Sequence, residues 1–171
     1  GSIHREFAAT LKTSAANAPR FEYDPITGNS EGLLVESHAT NLYPNSSDMT
    51  GTAGARANID SNVAVGPDGT LTADAIRIDS TNSNDHYKDY SYTAAASTVY
   101  TFSAYVKAAG LSYICVRPKV NFTSTPYIFF NLSTGAVTGG DGLAESVGNG
   151  WYRVSVKATS FLSVNAPCGI E

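Results

Sequence analysis

The feature that most constrains the fold is a series of short runs in which apolar and polar residues alternate. Such alternation is typical of β-strands that bury one face. Segments such as "GPDGT", "STG" and "GNG" separate the runs and supply turn-forming residues. The runs are "SNVAV", "ADAIRID", "DHYKDYSYT", "TVYTFSAYVKA", "SYICVRPKV", "YIFFNLS" and "WYRVSVKAT", with a last strand opening at "CGIE". The pattern predicts an all-β chain, folded as a jelly-roll-like β-sandwich of antiparallel strands.

A length of 171 residues is typical of one domain. Gly1-Ser2 is interpreted as a cloning scar. Residues 3–43 are interpreted as an N-terminal arm and β-hairpin, and residues 44–171 as the sandwich. The first part of the arm, residues 3–17, is compatible with a short helix or with an extended segment.

The arm ends in the stretch "RFEYDPITGNSEGLLVE", residues 20–36. Phe21 and Tyr23 are separated by one polar residue, and "GLLVE" follows as an apolar run. Between them, Pro25 is preset for a turn and Gly28 is free to adopt positive φ. This pattern predicts a β-hairpin with a long loop.

Charge and cysteine content narrow the possible partners. The net charge of −4, with no tract of basic residues, argues against a nucleic-acid partner. No apolar run approaches the roughly 20 residues that a membrane-spanning helix needs. Cys115 and Cys168 are too few for a disulfide framework, and both two buried thiols and one disulfide between neighbouring strands remain open.

Alternation assigns the two faces of three predicted strands. The set expected to face the core is apolar: Tyr100, Phe102, Ala104, Val106, Ile114, Val116, Pro118, Val120, Tyr152, Val154 and Val156. The opposite set holds tyrosine, lysine and arginine, together with Cys115. From it come the candidate carbohydrate-binding residues: Tyr105, Lys107, Tyr113, Arg117, Trp151 and Arg153.

Aromatic planes and polar groups side by side suit sugars, which have an apolar ring face and a rim of hydroxyls. Three alternatives stay open: a solvated sheet face, core or hairpin packing for Trp151, and a preference for acidic glycans from the lysine and arginine. In "HYKDYSY", Tyr90 and Tyr92 are expected inward, with Tyr87 and Asp89 outward at a rim.

Residue patterns for catalysis are weak, and no catalytic residue is predicted. His4, His38 and His86 lack metal-ligand spacing. Glu36 and His38 are interpreted as polar residues at a strand end, and Asp141 as a turn residue. No cofactor is expected, apart from a structural calcium ion that a loop such as "GGDG" would suit.

Several segments, in this order, resemble structural proteins of tailed bacteriophages and prophages. They are "LKTSAANAPRFEYDPITGNSEGLLVESHATNLYPNSS", "VGPDGTLTADAIRI", "YTFSAYVKA", "FFNLSTGAV" and "GNGWYRVSV". The match in order and spacing covers residues 11–160. In that family a Trp often follows the "TNL" element, whereas "SDMTGTAGARAN" here has none. The family usually continues past the equivalent of "CGIE", which leaves open whether the last strand is complete.

The resemblance implies a fibre, head-spike or tail-spike protein with a jelly roll of the type also used as a carbohydrate-binding module. We therefore expect a non-catalytic domain on the virion surface that binds host-surface or polymeric carbohydrate. Other virion subunits are the expected protein partners, and a homotrimer is one expected assembly. The alternatives are a purely architectural module that trimerises or docks a fibre, and an ancillary module of a polysaccharide-degrading enzyme.

Overall fold

A computed structural model describes residues 2–6, 10–14, 18–24, 27–34, 39–43, 47–82, 84–118, 127–161 and 164–170. Side chains are described for these residues except 2–14, Pro118 and 164–170. Every regular element in the described part of the chain is a β-strand, which confirms the all-β prediction. No helix in this part is long and apolar enough to cross a membrane.

The strands follow one another along the chain as short segments joined by turns. Their bounds are β1 Ser2–Glu6, β2 Thr10–Ser14, β3 Phe21–Tyr23, β4 Ser30–Leu33, β5 Ala53–Ala55, β6 Ala57–Ala64, β7 Ala73–Ile78, β8 Tyr87–Ala94, β9 Val99–Lys107, β10 Tyr113–Pro118, β11 Ile128–Asn131, β12 Val137–Thr138, β13 Gly142–Gly148, β14 Trp151–Thr159 and β15 Val164–Ile170.

All strand pairs are antiparallel, and two sheets form the main body. The larger has six strands in the order β12-β11-β10-β15-β8-β5, and the smaller has three in the order β13-β14-β9. Three two-stranded sheets, β1-β2, β3-β4 and β6-β7, complete the described structure.

One hydrophobic core lies between the six-stranded and three-stranded sheets. It consists of Tyr92, Ala94, Phe102, Val116, Ile128, Phe130, Leu132, Val154, Val156 and Ala158. Phe130, Ile128 and Val154 are fully buried, and each such side chain contributes about 1.5–3 kcal/mol of transfer free energy. Since both sheets contribute to this cluster, their other faces form two opposite outer surfaces.

The faces expected from alternation agree with this core where side chains are described. Phe102, Val116, Val154 and Val156 are buried in it, and Tyr100, Ala104, Val106, Ile114 and Tyr152 pack against it. Tyr92 is buried and Tyr90 packs on the same cluster, as expected for "HYKDYSY". Lys119 and Val120 lie outside the described residues.

The backbone register separates the two cysteines. Cys168 on β15 lies opposite Pro118 of β10, three residues from Cys115. At about 3.3 Å per residue, this offset is about 10 Å along the strand. It exceeds the Cα separation of about 7 Å that a disulfide bridges. Cys115 itself is buried, in agreement with the buried-thiol interpretation.

The N-terminal region consists of hairpins. The described residues from Ser2 to Ser14 form β1 and β2, so the extended interpretation of this segment holds there. The predicted hairpin is present as β3 and β4, and Gly28 has a φ of 72°. In its loop, the Gly28 N–H donates to the Asp24 carbonyl at 2.8 Å, and the Asp24 N–H donates to the Asn29 carbonyl at 2.9 Å.

Candidate functional site

Four of the six candidate residues lie together on the three-stranded sheet. Arg153 is directly opposite Tyr105, and Trp151 is directly opposite Lys107, across the β14–β9 pair. All four are on the face of their strands away from Val154, but Trp151 is buried there, so only Tyr105, Lys107 and Arg153 contribute to the outer surface of this sheet.

Only some of the four side chains in this group are accessible for contact with a ligand. Trp151 is 8% exposed, which agrees with the packing alternative and leaves little of its ring surface for stacking. Arg153 Nη1 lies 3.4 Å from a carboxylate oxygen of Glu145, its cross-strand neighbour. Lys107 is exposed and Tyr105 is half-buried. The group therefore presents mainly charged side chains.

The other two candidates, Tyr113 and Arg117, are on β10 of the six-stranded sheet. They lie on the face away from the core, and so on the surface opposite Tyr105 and Arg153. The sequence placed all six on outward faces without indicating which strands adjoin. The fold divides them into a group of four and a group of two.

A shallow depression accompanies the second group, with a volume of about 260 Å³. We call it the β10–β11 depression. Its lining residues are Asp85, Tyr113, Ile114, Cys115, Tyr127 and Phe129. The strand register brings Cys115 and Phe129 directly opposite each other. Three aromatic rings thus surround one concave patch.

Tyr127 and Phe129 were not among the residues selected from sequence. Their signal was nevertheless present in "YIFFNLS": Ile128 and Phe130 are fully buried, so residues 127 and 129 must point outward. The face assignment from alternation did not extend to this run, and the two rings were therefore missed.

Arg117 and the rings of Tyr127 and Phe129 form a continuous stack. The Arg117 guanidinium carbon lies 4.4 Å from the centroid of the Tyr127 ring, and Arg117 Nη1 also donates a hydrogen bond to the Tyr127 hydroxyl. The Tyr127 and Phe129 rings are nearly parallel, at 13°, with centroids 6.3 Å apart. The cation and the aromatic rings therefore restrict one another's rotamers.

The ring of Tyr113 is held by a hydrogen bond and not by the Arg117 stack. Its hydroxyl accepts a hydrogen bond of 2.9 Å from Asn131 Nδ2, the residue opposite it on β11. Asn131 Oδ1 in turn accepts from the backbone N–H groups of Ser133 and Thr134, at 2.9 and 3.2 Å. A turn held by Asn131 thus positions the ring of Tyr113.

Asp85 is the charged residue among the described lining residues, and it lies in the loop before β8. Its carbonyl oxygen accepts a 3.1 Å hydrogen bond from Arg56 Nη1. The next residue, His86, places Nε2 3.0 Å from Asp79 Oδ1. Hydrogen bonds from the backbone and side chain of Thr81, followed by His86, hold the pKa of Asp79 below its usual range.

Other residues singled out from sequence lie elsewhere. Tyr87 and Asp89 are half-buried on the outer face of β8, and Asp141 is exposed before β13. Glu36 and His38 lie outside the described residues. Among the described residues, no three His, Cys, Asp or Glu side chains are grouped to hold a metal ion.

Comparison of the chain with models of known protein families and with curated proteins finds no match. Functional inference therefore depends on the geometry of the two outer surfaces and on the sequence resemblance.

Proposed function

We propose that this chain is a non-catalytic domain that binds carbohydrate through the β10–β11 depression. The observation that carries the proposal is the exposure of its three rings: Tyr113 at 62%, Tyr127 at 48% and Phe129 at 44%. Aromatic rings left in water at one concave patch offer flat apolar surfaces to sugar rings, and Asp85, which also lines the patch, offers a polar contact to hydroxyls. An isolated exposed aromatic residue would carry no such meaning.

The proposed architecture is a jelly roll. In support, the strand pairs are nested along the sequence: β8 pairs with β15, and β9, the next strand, pairs with β14, the one before β15. In addition, β15 lies between β8 and β10 in the six-stranded sheet. Jelly rolls share this wrapping of a long double strand into two sheets.

The proposed setting is the surface of a phage virion, in a fibre or spike that contacts host glycans. The resemblance of residues 11–160 to virion structural proteins supports it. Other virion subunits, with a homotrimer as one arrangement, would then be the protein partners. Neither a nucleic-acid partner nor a catalytic reaction is part of the proposal.

A purely architectural role is the second candidate, and one observation favours it. Val63, Val65 and Leu71, each at least half exposed, lie close together toward the closed end of the β6–β7 hairpin. Exposed apolar groups that cluster in this way often mark protein contacts. This role predicts self-association that does not depend on the depression.

Affinity electrophoresis through gels containing bacterial and plant polysaccharides tests the carbohydrate proposal. We expect at least one polysaccharide to retard the protein, and Phe129→Ala to weaken that retardation about tenfold, since loss of a central aromatic contact commonly costs more than 1 kcal/mol. Phe161→Ala is the matched control, because Phe161 is an aromatic side chain of similar exposure, 51%, that does not line the depression.

Lys107→Ala tests the group on the three-stranded sheet in the same gels, and should leave the retardation unchanged. If Lys107→Ala abolishes retardation and Phe129→Ala does not, the binding surface is the other sheet. If no polysaccharide retards the wild-type protein and light scattering shows an oligomer, the architectural role replaces the carbohydrate proposal.

A further inference from the structure

The charges around the β10–β11 depression are distributed unevenly. Of the six described residues that line it, Asp85 is the one with a formal charge. Two described cations flank the lining: Arg56 donates from Nη1 to the backbone carbonyl of Asp85, and Arg117 lies on the Tyr127 ring and donates to its hydroxyl. The immediate lining is therefore apolar, aromatic and negative.

The remaining cations among the sequence candidates are on the other side of the molecule. Lys107 and Arg153 belong to the outer surface of the three-stranded sheet, and Arg153 is 3.4 Å from Glu145. The chain as a whole carries a net charge of −4. The overall charge therefore does not attract an anionic polymer, and the charged side chain that lines the depression is itself acidic.

From this distribution we infer that the depression selects uncharged sugar units and discriminates against sugars that carry carboxylates. The inference deepens the proposed function and rests on it. A sugar carboxylate about 4 Å from Asp85 would be repelled by about 1 kcal/mol even at the dielectric constant of water. The hydroxyls of an uncharged sugar instead donate charge-assisted hydrogen bonds to the same carboxylate.

The depression suits units of a polymer better than an isolated small molecule. Its volume of about 260 Å³ is below the range of about 300–1,000 Å³ that is typical of enclosed ligand sites. Contact with one or two sugar units, repeated along a chain, is the binding that a shallow aromatic patch supports. The Arg56 hydrogen bond holds the backbone of the Asp85 loop, which lowers the cost of ordering this loop on binding.

Matched pairs of polysaccharides that differ only in charge test this selectivity. Galactomannan and mixed-linkage β-glucan are each compared with the derivative whose primary hydroxyls have been oxidised to carboxylates. Polygalacturonate is compared with its methyl ester. In every pair that retards the protein, we expect the uncharged member to bind at least about fivefold more tightly at low salt, which corresponds to about 1 kcal/mol. Raising the salt concentration should narrow this ratio, because salt screens the repulsion.

Asp85→Asn should also narrow the ratio of affinities for the uncharged and the carboxylated member of each pair, since the amide keeps a hydrogen-bonding oxygen but has no charge. Asp141→Asn is the matched control: it removes an exposed carboxylate that does not line the depression, and the ratio should stay at the wild-type value. Equal or tighter binding of the carboxylated members by the wild-type protein would overturn the inference and leave the carbohydrate proposal standing. Failure of all six polysaccharides to retard the protein would count against the carbohydrate proposal itself.

Discussion

Individual side chains at the β10–β11 depression have two different tasks. Tyr113 and Phe129 have exposed surface, which the proposed ligand would contact, whereas Asn131 and Arg117 hold neighbouring rings through a hydrogen bond and a stacked contact. Ordering a free side chain on binding costs about 0.5–1.5 kcal/mol. Rings that are already held avoid part of that cost, which makes Asn131 a positioning residue of the proposed site.

Gly28 is the residue at which the β3–β4 loop depends on glycine. Its φ of 72° lies in the left-handed region, which costs other L-residues about 1–2 kcal/mol, and β-branched residues more. We expect Gly28→Val to weaken the hairpin and to speed hydrogen exchange at the Asp24 and Gly28 amides, which donate the two loop hydrogen bonds. Carbohydrate binding should be unchanged, because this loop does not line the depression.

Gly51→Val is the control for this substitution. Gly51 lies in a turn, its φ is outside the left-handed region, and a Cβ there meets no atom within 4 Å. Unaltered amide exchange in Gly28→Val, at the same rates as in Gly51→Val, would show that the turn does not require a positive φ.

At the scale of strands, local pattern predicted those elements whose residues alternate strongly. β8, β9 and β14 were expected within two residues of their observed bounds. β13 was missed, because its sequence "GLAESVG" has glycine at both ends and little apolar content. Pairing with β14 and packing against the other sheet stabilise it instead.

The start of the last strand, β15, was also not predicted from local sequence pattern. The sequence suggested a strand opening at "CGIE", whereas β15 begins at Val164 and includes Pro167. Proline lacks an N–H and is disfavoured inside a sheet. Among the described residues, Cys168 to Ile170 lie opposite β10, and Pro167 lies opposite Ser91 of β8. A single-strand pattern does not contain such information about neighbours.

The candidate site was predicted in composition but not in arrangement. Alternation correctly gave outward faces to Tyr113 and Arg117. Sequence separation does not determine which strands become neighbours, however. Only the fold shows that β10 pairs with β11, which contains Phe129 and follows directly after Tyr127.

Gly142, the first residue of β13, marks a close approach between the two sheets. A Cβ added there would overlap side-chain atoms of Ile128 and Val137 and approach the ring of Phe130. Overpacking of a well-filled core typically costs about 1–3 kcal/mol. We expect Gly142→Ala to lower the free energy of unfolding by that amount, measured by urea denaturation, while Gly51→Ala has little effect. A stability loss no larger than that of Gly51→Ala would mean that the sheets separate easily at this point.

At the scale of the whole molecule, the shared core gives the protein two opposite outer surfaces with different chemistry. The six-stranded sheet presents stacked rings beside Arg117, with Asp85 in an adjoining loop, and the three-stranded sheet presents Lys107 and the Arg153–Glu145 pair. A domain built in this way can bind a ligand on one surface and leave the other for a neighbouring subunit. The proposed adhesive and architectural roles are therefore compatible in one chain.

The distribution of burial also predicts unequal stability across the molecule. In the N-terminal hairpin, Phe21 and Leu33 are about half exposed, whereas Val154 and Val156 of β14 are almost completely buried. Segments with few buried apolar contacts open with lower free energies than core strands do. Hydrogen exchange on the full chain should therefore show β3–β4 amides exchanging by local opening, and β9–β14 amides exchanging only through global unfolding.

Adding low concentrations of urea separates the two mechanisms, because only global opening exposes enough surface to respond strongly to the denaturant. Equal protection and equal urea dependence in both regions would show instead that the hairpin and the two sheets unfold as one cooperative unit.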